Sequence, residues 1–405
     1  MTIKLYQTKE YDTDFSTKID SVETADTYSI VTFSETLFYP TGGGQNCDTG
    51  ELIHNNFTYK VVDVFRDKST DIIFHKVEKF FPRPGDSVFC RINWDRRFRY
   101  MQWHTSQHLL SQAFIRINPL FKTVSVSFNT ELCTMDIEGF PKGDDLVEVE
   151  KLVNLKCSEN LKIEAITVKD EDLKKLPVRR PPKVSGEIRL IKIGDWELAG
   201  CGAPHLSSTA QVMLIKIIKH EKIKGNLTRI YFMSGLSAIE DYSQKHNLVR
   251  NISMHFSTGS DELMERFNGF VNAFTKTAAQ LKTVSSELGK ILLEDAIKQA
   301  FIFGAGRLAT ITLSGERIII AKEVIRSFST PDVILLLLSI DQENVTAYLV
   351  GGHGIKTELN KLVAPVISEI GGKGGGRPQY VQFSFNKKEI ENFKSRFMNQ
   401  LKSIK

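Results

Sequence analysis

Two histidines four residues apart, His104 and His108, lie in the run Met101-Gln102-Trp103-His104-Thr105-Ser106-Gln107-His108-Leu109-Leu110. About a hundred residues later comes Cys201-Gly202-Ala203-Pro204-His205. Only here do residue type and spacing both call for chemistry. Phe98, Met101, Thr105, Leu109, Ala113 and Ile117 recur every three or four residues, which predicts a helix over 97–117. Residues four apart stack on one helix face, so both imidazoles can point at one ion. The pair falls beside the apolar stripe, so the rings are expected at the rim of the core, where a cleft can form. Gly202 and Pro204 argue against a regular helix and predict a tight turn holding a thiolate and an imidazole. Zinc accepts this mixed nitrogen and sulfur set. Four protein ligands can close the tetrahedron, as in structural sites, or sit beside a substrate cleft. Either half of the set alone is a weak signal, since HxxxH on a helix is commonly packing or surface.

A chain of 405 residues is long for one domain and predicts two to four. Its 41% hydrophobic and 25% charged residues are those of an ordinary globular protein. Met1-Thr2-Ile3-Lys4-Leu5 does not open a signal peptide, and the apolar run 333–340 is too short to span a bilayer. The five cysteines are scattered and odd in number, which argues against a disulfide framework and for a reducing cytoplasm. A net charge of +5 permits an RNA partner without demanding one.

The chain reads as an α+β protein in four segments. Residues 1–93 hold short β-rich pieces, such as 27–33, 59–65 and 87–92, spaced as in a small closed or half-closed barrel. A glycine-rich loop, Gly42-Gly43-Gly44-Gln45, lies between them; its backbone can approach a ligand closely, or it is an ordinary hairpin loop. Residues 94–245 start with the histidine helix and continue with a hairpin over 124–137, a helix over 145–159 and strands at 162–168, 188–193, 212–218 and 228–233. That order predicts an α+β sandwich with the zinc cleft on one side. The basic, proline-rich stretch 176–183 carries Arg179 and Arg180; it can touch an RNA backbone or serve as a solvated linker. Residues 246–301 are a helical arm, with a long helix over 261–301 whose stripe Phe267, Phe270, Phe274, Leu281, Val284 and Leu288 suits a helical hairpin or a dimer seam. Residues 302–405 form a C-terminal α/β domain. The run 333–340 is apolar throughout, as in a sheet covered on both faces. A further strand over 346–350 and a helix over 356–370 lead into Gly371-Gly372-Lys373-Gly374-Gly375-Gly376-Arg377-Pro378.

Four motifs, in order, carry a family resemblance covering most of the chain. The run from His104 to Leu110 resembles the HTxxHLL motif of the alanyl-tRNA editing domain, and Cys201 to His205 resembles its CGGTH motif. Phe38-Tyr39-Pro40-Thr41-Gly42-Gly43-Gly44-Gln45-Asn46-Cys47-Asp48-Thr49-Gly50 resembles its glycine-rich FYPxGGGQxxDxG segment. The run 371–378 resembles the signature of the DHHA1-like C-terminal domain shared by alanyl-tRNA synthetases and some phosphoesterases. Ala203 and Pro204 replace the family's glycine and threonine, Thr41 stands where an acidic residue is common, and no glycines trail Pro378.

The resemblance implies a long form of the editing protein: an aminoacyl-tRNA hydrolase acting on tRNA(Ala) mischarged with serine or glycine. It implies one Zn²⁺ per chain on His104, His108, Cys201 and His205, either activating water or orienting the amino acid. The substrate end would meet Gln45 and the amides of Gly42, Gly43 and Gly44. Thr105 and Thr123 are candidates for binding a serine hydroxyl. The C-terminal domain would hold the tRNA body through Lys356, Lys373 and Arg377, or pair two subunits into a homodimer. A trans-acting editor has physical sense, because one methylene-sized difference is worth only about 1–3 kcal/mol to a first sieve. Three other readings remain: a threonyl-type editing hydrolase, a non-catalytic tRNA-binding protein with a structural zinc, and a phosphoesterase. The last is weakened by the lack of an Asp-His-His run. A full alanyl-tRNA synthetase is not expected, because no aminoacylation domain precedes the barrel.

Overall fold

In a computed structural model the described residues are 1–79, 82–128, 132–179, 186–304 and 306–403. They divide into two compact units, Met1–Asn251 and Ile252–Lys405.

The first unit begins with β1 (Ile3–Lys4), β2 (Asp14–Thr24), β3 (Tyr28–Phe33), β4 (Glu35–Thr36), β5 (Gly50–His54), β6 (Phe57–Arg66), β7 (Ile73–Glu78) and β8 (Ser87–Ile92). Six of these close a barrel in the order β2-β3-β7-β6-β5-β8, while β1 pairs with β4 beside it. Strand alternation packs Val31, Phe33, Leu52, Val64, Val77 and Cys90 inside. One polar ring joins them: His75 is buried, its Nδ1 donates to the Val31 carbonyl at 3.1 Å, and its Nε2 meets Thr36 Oγ1 at 2.9 Å.

Helix α1 (Trp94–Ile117) follows. Asn93 caps its start by accepting from the Arg96 amide at 3.0 Å, and Asp95 sits in the first turn. Next come β9 (Thr123–Phe128), β10 (Cys133–Glu138), α2 (Gly143–Ser158), β11 (Ile163–Lys169), α3 (Asp170–Leu173), β12 (Glu187–Ile193), β13 (Glu197–Gly200), β14 (Ile215–Lys222), β15 (Leu227–Ser234) and α4 (Leu236–His255). Two antiparallel sheets result, β14-β15-β10-β9 and β11-β12-β13.

The stripe expectation for α1 needs correction. Every residue from Tyr100 to Ser111 is buried, so the helix is covered on all its faces there, while His104 and His108 still line a cleft. It packs against α2, β9, β13 and β15. Its polar side chains are tolerated because they find partners. The Gln102 amide donates to the Gln211 carbonyl at 2.9 Å, Ser106 to the Gln102 carbonyl at 2.6 Å, and the Gln107 amide to Ser111 Oγ at 2.6 Å.

The second unit contains α5 (Leu263–Lys298), β16 (Phe301–Phe303), β17 (Gly306–Ser314), α6 (Ala321–Ser327), β18 (Val333–Asp341), β19 (Asn344–Gly351), α7 (Leu359–Glu369), β20 (Lys373–Arg377), β21 (Tyr380–Asn386) and α8 (Ile390–Lys402). Its sheet order is β16-β17-β18-β19-β21-β20. β18 is central and buried on both faces: Ile334, Leu336 and Leu338 enter one core, while Val333, Leu335 and Leu337 enter the other. The glycine run forms the exposed edge strand β20. A Cβ at Gly376 would lie 2.1 Å from the Tyr380 carbonyl oxygen, so only glycine permits that pairing. α5 packs on α6 and β17, yet only Ser285, Gly289 and Leu293 along it are buried. No helix among the described residues is long and apolar enough to cross a membrane.

Candidate metal centre

Within the first unit, α1 delivers His104 and His108 one turn apart, and the chain leaving β13 delivers Cys201 and His205. Their ligand atoms all lie within 4.8 Å of one another. Cys201 Sγ is 3.4 Å from His104 Nε2 and 3.3 Å from His205 Nε2. Zinc bonds of about 2.3 Å to sulfur and about 2.0 Å to nitrogen put such atoms about 3.5 Å apart at a tetrahedral angle. The four side chains therefore fit the ion in both spacing and donor type. The electrostatics of Cys201 and His205 agree with a metal site, whereas His108 must give up a proton to ligate. Burial opposes ionisation of Cys201, but His104 and His205 outweigh it and hold the thiol well below its ordinary range. Burial pushes His205 down to about 3, keeping a neutral ring. Burial also pulls against a charged His108, yet Glu197 and Cys201 carry it up to about 9.

Each imidazole has a side-chain oxygen close to its other nitrogen. Gln45 Oε1 lies 2.9 Å from His104 Nδ1. Thr105 Oγ1 lies 3.1 Å from His205 Nδ1 and also accepts from the Leu206 amide at 3.3 Å. Glu197 Oε1 lies 3.3 Å from His108 Nδ1. A donor proton on each Nδ1 leaves Nε2 for metal. Gln45 and Thr105, read from sequence as substrate contacts, are thus placed behind the ligands; both are buried.

The departure in the CxxxH turn has its own support. Arg189 Nη1 donates to the carbonyls of Cys201 at 2.8 Å and Ala203 at 3.0 Å, and its Nη2 pairs with Glu10. The turn contains no cis peptide. Neither Arg189 nor Glu197 was picked out from sequence. The available signal for Glu197 is a carboxylate in an otherwise apolar strand four positions before the cysteine.

Above the cluster opens a cleft of about 570 Å³, with His104, His108 and Cys201 at its base and Tyr39, Gly42, Gly43, Gly44, Thr123 and Arg179 among its walls. The glycine loop is shaped by close approach. Gly44 has φ +81°, and a Cβ there would lie 2.4 Å from the Val126 carbonyl oxygen. The Gly42 amide donates to the Gln45 carbonyl, whereas those of Gly43 and Gly44 make no hydrogen bond among the described residues. Thr123 lines the cleft and meets Ser111 Oγ at 2.7 Å. The loop is anchored to α1 by Asp48 and Arg97, both fully buried. Arg97 Nε lies 3.1 Å from Asp48 Oδ2, which also accepts from the Tyr39 amide at 2.7 Å.

The sequence-predicted RNA contacts fall in both units. Arg179 is in the cleft wall, its Nε 2.6 Å from Glu197 Oε1, and so is committed to a carboxylate. Arg180 lies outside the described residues. Lys356, Lys373 and Arg377 are exposed in the second unit, the last two on β20.

Comparison with known proteins agrees with this geometry. Residues 188–231, which include Cys201 and His205, match the threonyl and alanyl tRNA synthetase second additional domain. Residues 4–96 match the class II (A) tRNA synthetases. The alanyl-tRNA editing protein AlaX-L of Pyrococcus horikoshii is 28% identical over 393 residues, covering 93% of this chain and 93% of that protein. The alanine–tRNA ligase of Pyrococcus abyssi is 30% identical over 367 residues, covering 87% of this chain but 39% of the ligase. That of Pyrococcus furiosus is 31% identical over 274 residues, covering 65% and 29%. The chain thus spans well under half the length of the ligases it matches. Over nearly its whole length the chain is thus similar to the long alanyl-tRNA editing protein AlaX-L, and its four-ligand cluster falls within the matched length.

Proposed function

We propose that the protein hydrolyses the ester linking a wrong amino acid to tRNA(Ala), serine or glycine in place of alanine, acting in trans in the cytoplasm. The observation that carries this reading is the His104, His108, Cys201 and His205 cluster, three of whose members line a cleft walled by the glycine-rich loop. One Zn²⁺ per chain bound there would polarise the ester carbonyl or lower the pKa of water. The chain's own residues do the rest. The free amides of Gly43 and Gly44 bind an ester or ribose oxygen, and Thr123 presents a hydroxyl to the amino acid side chain. Gln45 and Thr105 act one step back, fixing His104 and His205. Lys356, Lys373 and Arg377 hold the RNA backbone, and a homodimer through the helical arm or the C-terminal domain is part of this reading. The four-segment division into barrel, editing domain, arm and C-terminal domain is kept with it.

A second reading is favoured by one feature. Four protein side chains complete a tetrahedron, and closed sites are usually structural. A zinc-stabilised tRNA-binding protein without turnover would look the same at the metal. A threonyl-type editing hydrolase differs only in the tRNA it accepts. The test is deacylation of serine-, glycine- and alanine-charged tRNA(Ala), with and without chelator. Hydrolysis of the first two, lost on chelation, supports the proposal. No hydrolysis of any of them with zinc present leaves the binding reading.

A further inference from the structure

The strongest unassigned cluster is the buried carboxylate Glu197 between His108 and Arg179. We infer that Glu197 is a positioning residue for the metal centre, aligning His108 through Nδ1, and that Arg179 holds Glu197 in place. This rests on the zinc reading above.

Glu197 opens β13, four residues before Cys201, and its side chain has no exposure. A buried carboxylate is costly unless it is paired. Here it has two partners on one oxygen. Oε1 lies 3.3 Å from His108 Nδ1 and 2.6 Å from Arg179 Nε. Arg179 is fixed in turn, because its amide donates to the Leu198 carbonyl at 2.9 Å. The cation therefore does not swing freely; it is tied to the strand whose acid it neutralises. The third element is α1, which fixes His108 within the interior.

The consequence for His108 is orientation. With a carboxylate oxygen 3.3 Å from Nδ1, the Nδ1–H tautomer is favoured and Nε2 is left as the ligand atom. His104 and His205 are held by neutral oxygens, from Gln45 and Thr105. His108 alone is backed by a charge, which makes it the most basic imidazole donor of the three. An amide in place of Glu197 cannot do the same. Arg179 would claim its single oxygen, and the remaining NH₂ would face Nδ1 donor to donor, favouring the wrong tautomer.

The test is metal binding by the full chain carrying Glu197→Gln, read by zinc competition titration and by the visible spectrum of the cobalt-substituted protein. Support of this kind is typically worth about 10- to 100-fold in metal affinity, and that loss is expected here. The cobalt bands should shift, because one ligand changes its donor strength. Glu197→Asp should recover part of the affinity. His108→Ala provides the control for a folding defect: in that background Glu197→Gln should cost no further affinity. Wild-type zinc affinity and an unchanged cobalt spectrum in Glu197→Gln overturn the inference. So does an equal loss in the His108→Ala background. A wild-type protein that takes up no metal overturns the zinc reading itself, a distinct failure.

Discussion

Replacing Asp48 by Ala tests the joint between the glycine-rich loop and the histidine helix. Asp48 and Arg97 have no solvent exposure, and Asp48 Oδ2 also accepts from the Tyr39 amide. The substitution leaves a buried guanidinium without its counter-charge; its contacts to the Glu10 and Leu37 carbonyls are not ionic partners. Removing one member of a buried pair costs about 3–5 kcal/mol. The orphaned Tyr39 amide overlaps with this loss, so about 4 kcal/mol is expected in total. A domain is stabilised by only about 5–15 kcal/mol, so the first unit would be brought near its limit. With a urea slope of about 3 kcal/mol/M, the midpoint should fall by about 1.3 M. Lys175→Ala is the control. It removes an exposed pair with Asp172 and should change stability by under about 1 kcal/mol. A midpoint shift for Asp48→Ala no larger than the control's would refute the claim that this pair fastens the loop.

The barrel should lose stability in acid through His75, which burial holds down at about 4 against an unfolded value of 6.5. Between these values the unfolded chain binds the extra proton, so stability falls as pH drops from 6.5 to 4, by about 3 kcal/mol; urea midpoints of His75→Phe should show a flatter slope across that window. Gly44→Ala forces a side chain into φ +81° and against the Val126 carbonyl, so it should destabilise by more than about 1 kcal/mol and weaken substrate binding, measured as a raised KM. Thr105→Val removes the oxygen that meets His205 Nδ1 while keeping the volume, and zinc affinity by competition titration should fall about 10-fold or more.

The elements nearest the site were readable because their signals are local. Three-four periodicity marks α1, and the unbroken apolar run marks β18 as a strand with two covered faces. What α1 packs against was not readable. Its polar residues look like a solvent face until Gln102 finds Gln211, and Thr105 finds His205, each a hundred or more positions away. The same holds for the ligand supports. Arg189, Glu197 and Arg179 act through partners that no local pattern links. The glycine run shows the converse: nothing in its composition announces a strand, yet pairing with β21 makes it one. α4 escaped notice, and among its exposed residues are Leu236, Tyr242 and Leu248, so no buried stripe announces it.

The most direct test of the account is to load the purified protein with zinc, measure metal content, and follow deacylation of serine-charged tRNA(Ala) before and after Cys201→Ala. The account expects one zinc per chain with turnover, and loss of both in the variant. Turnover that survives the loss of the metal would contradict it.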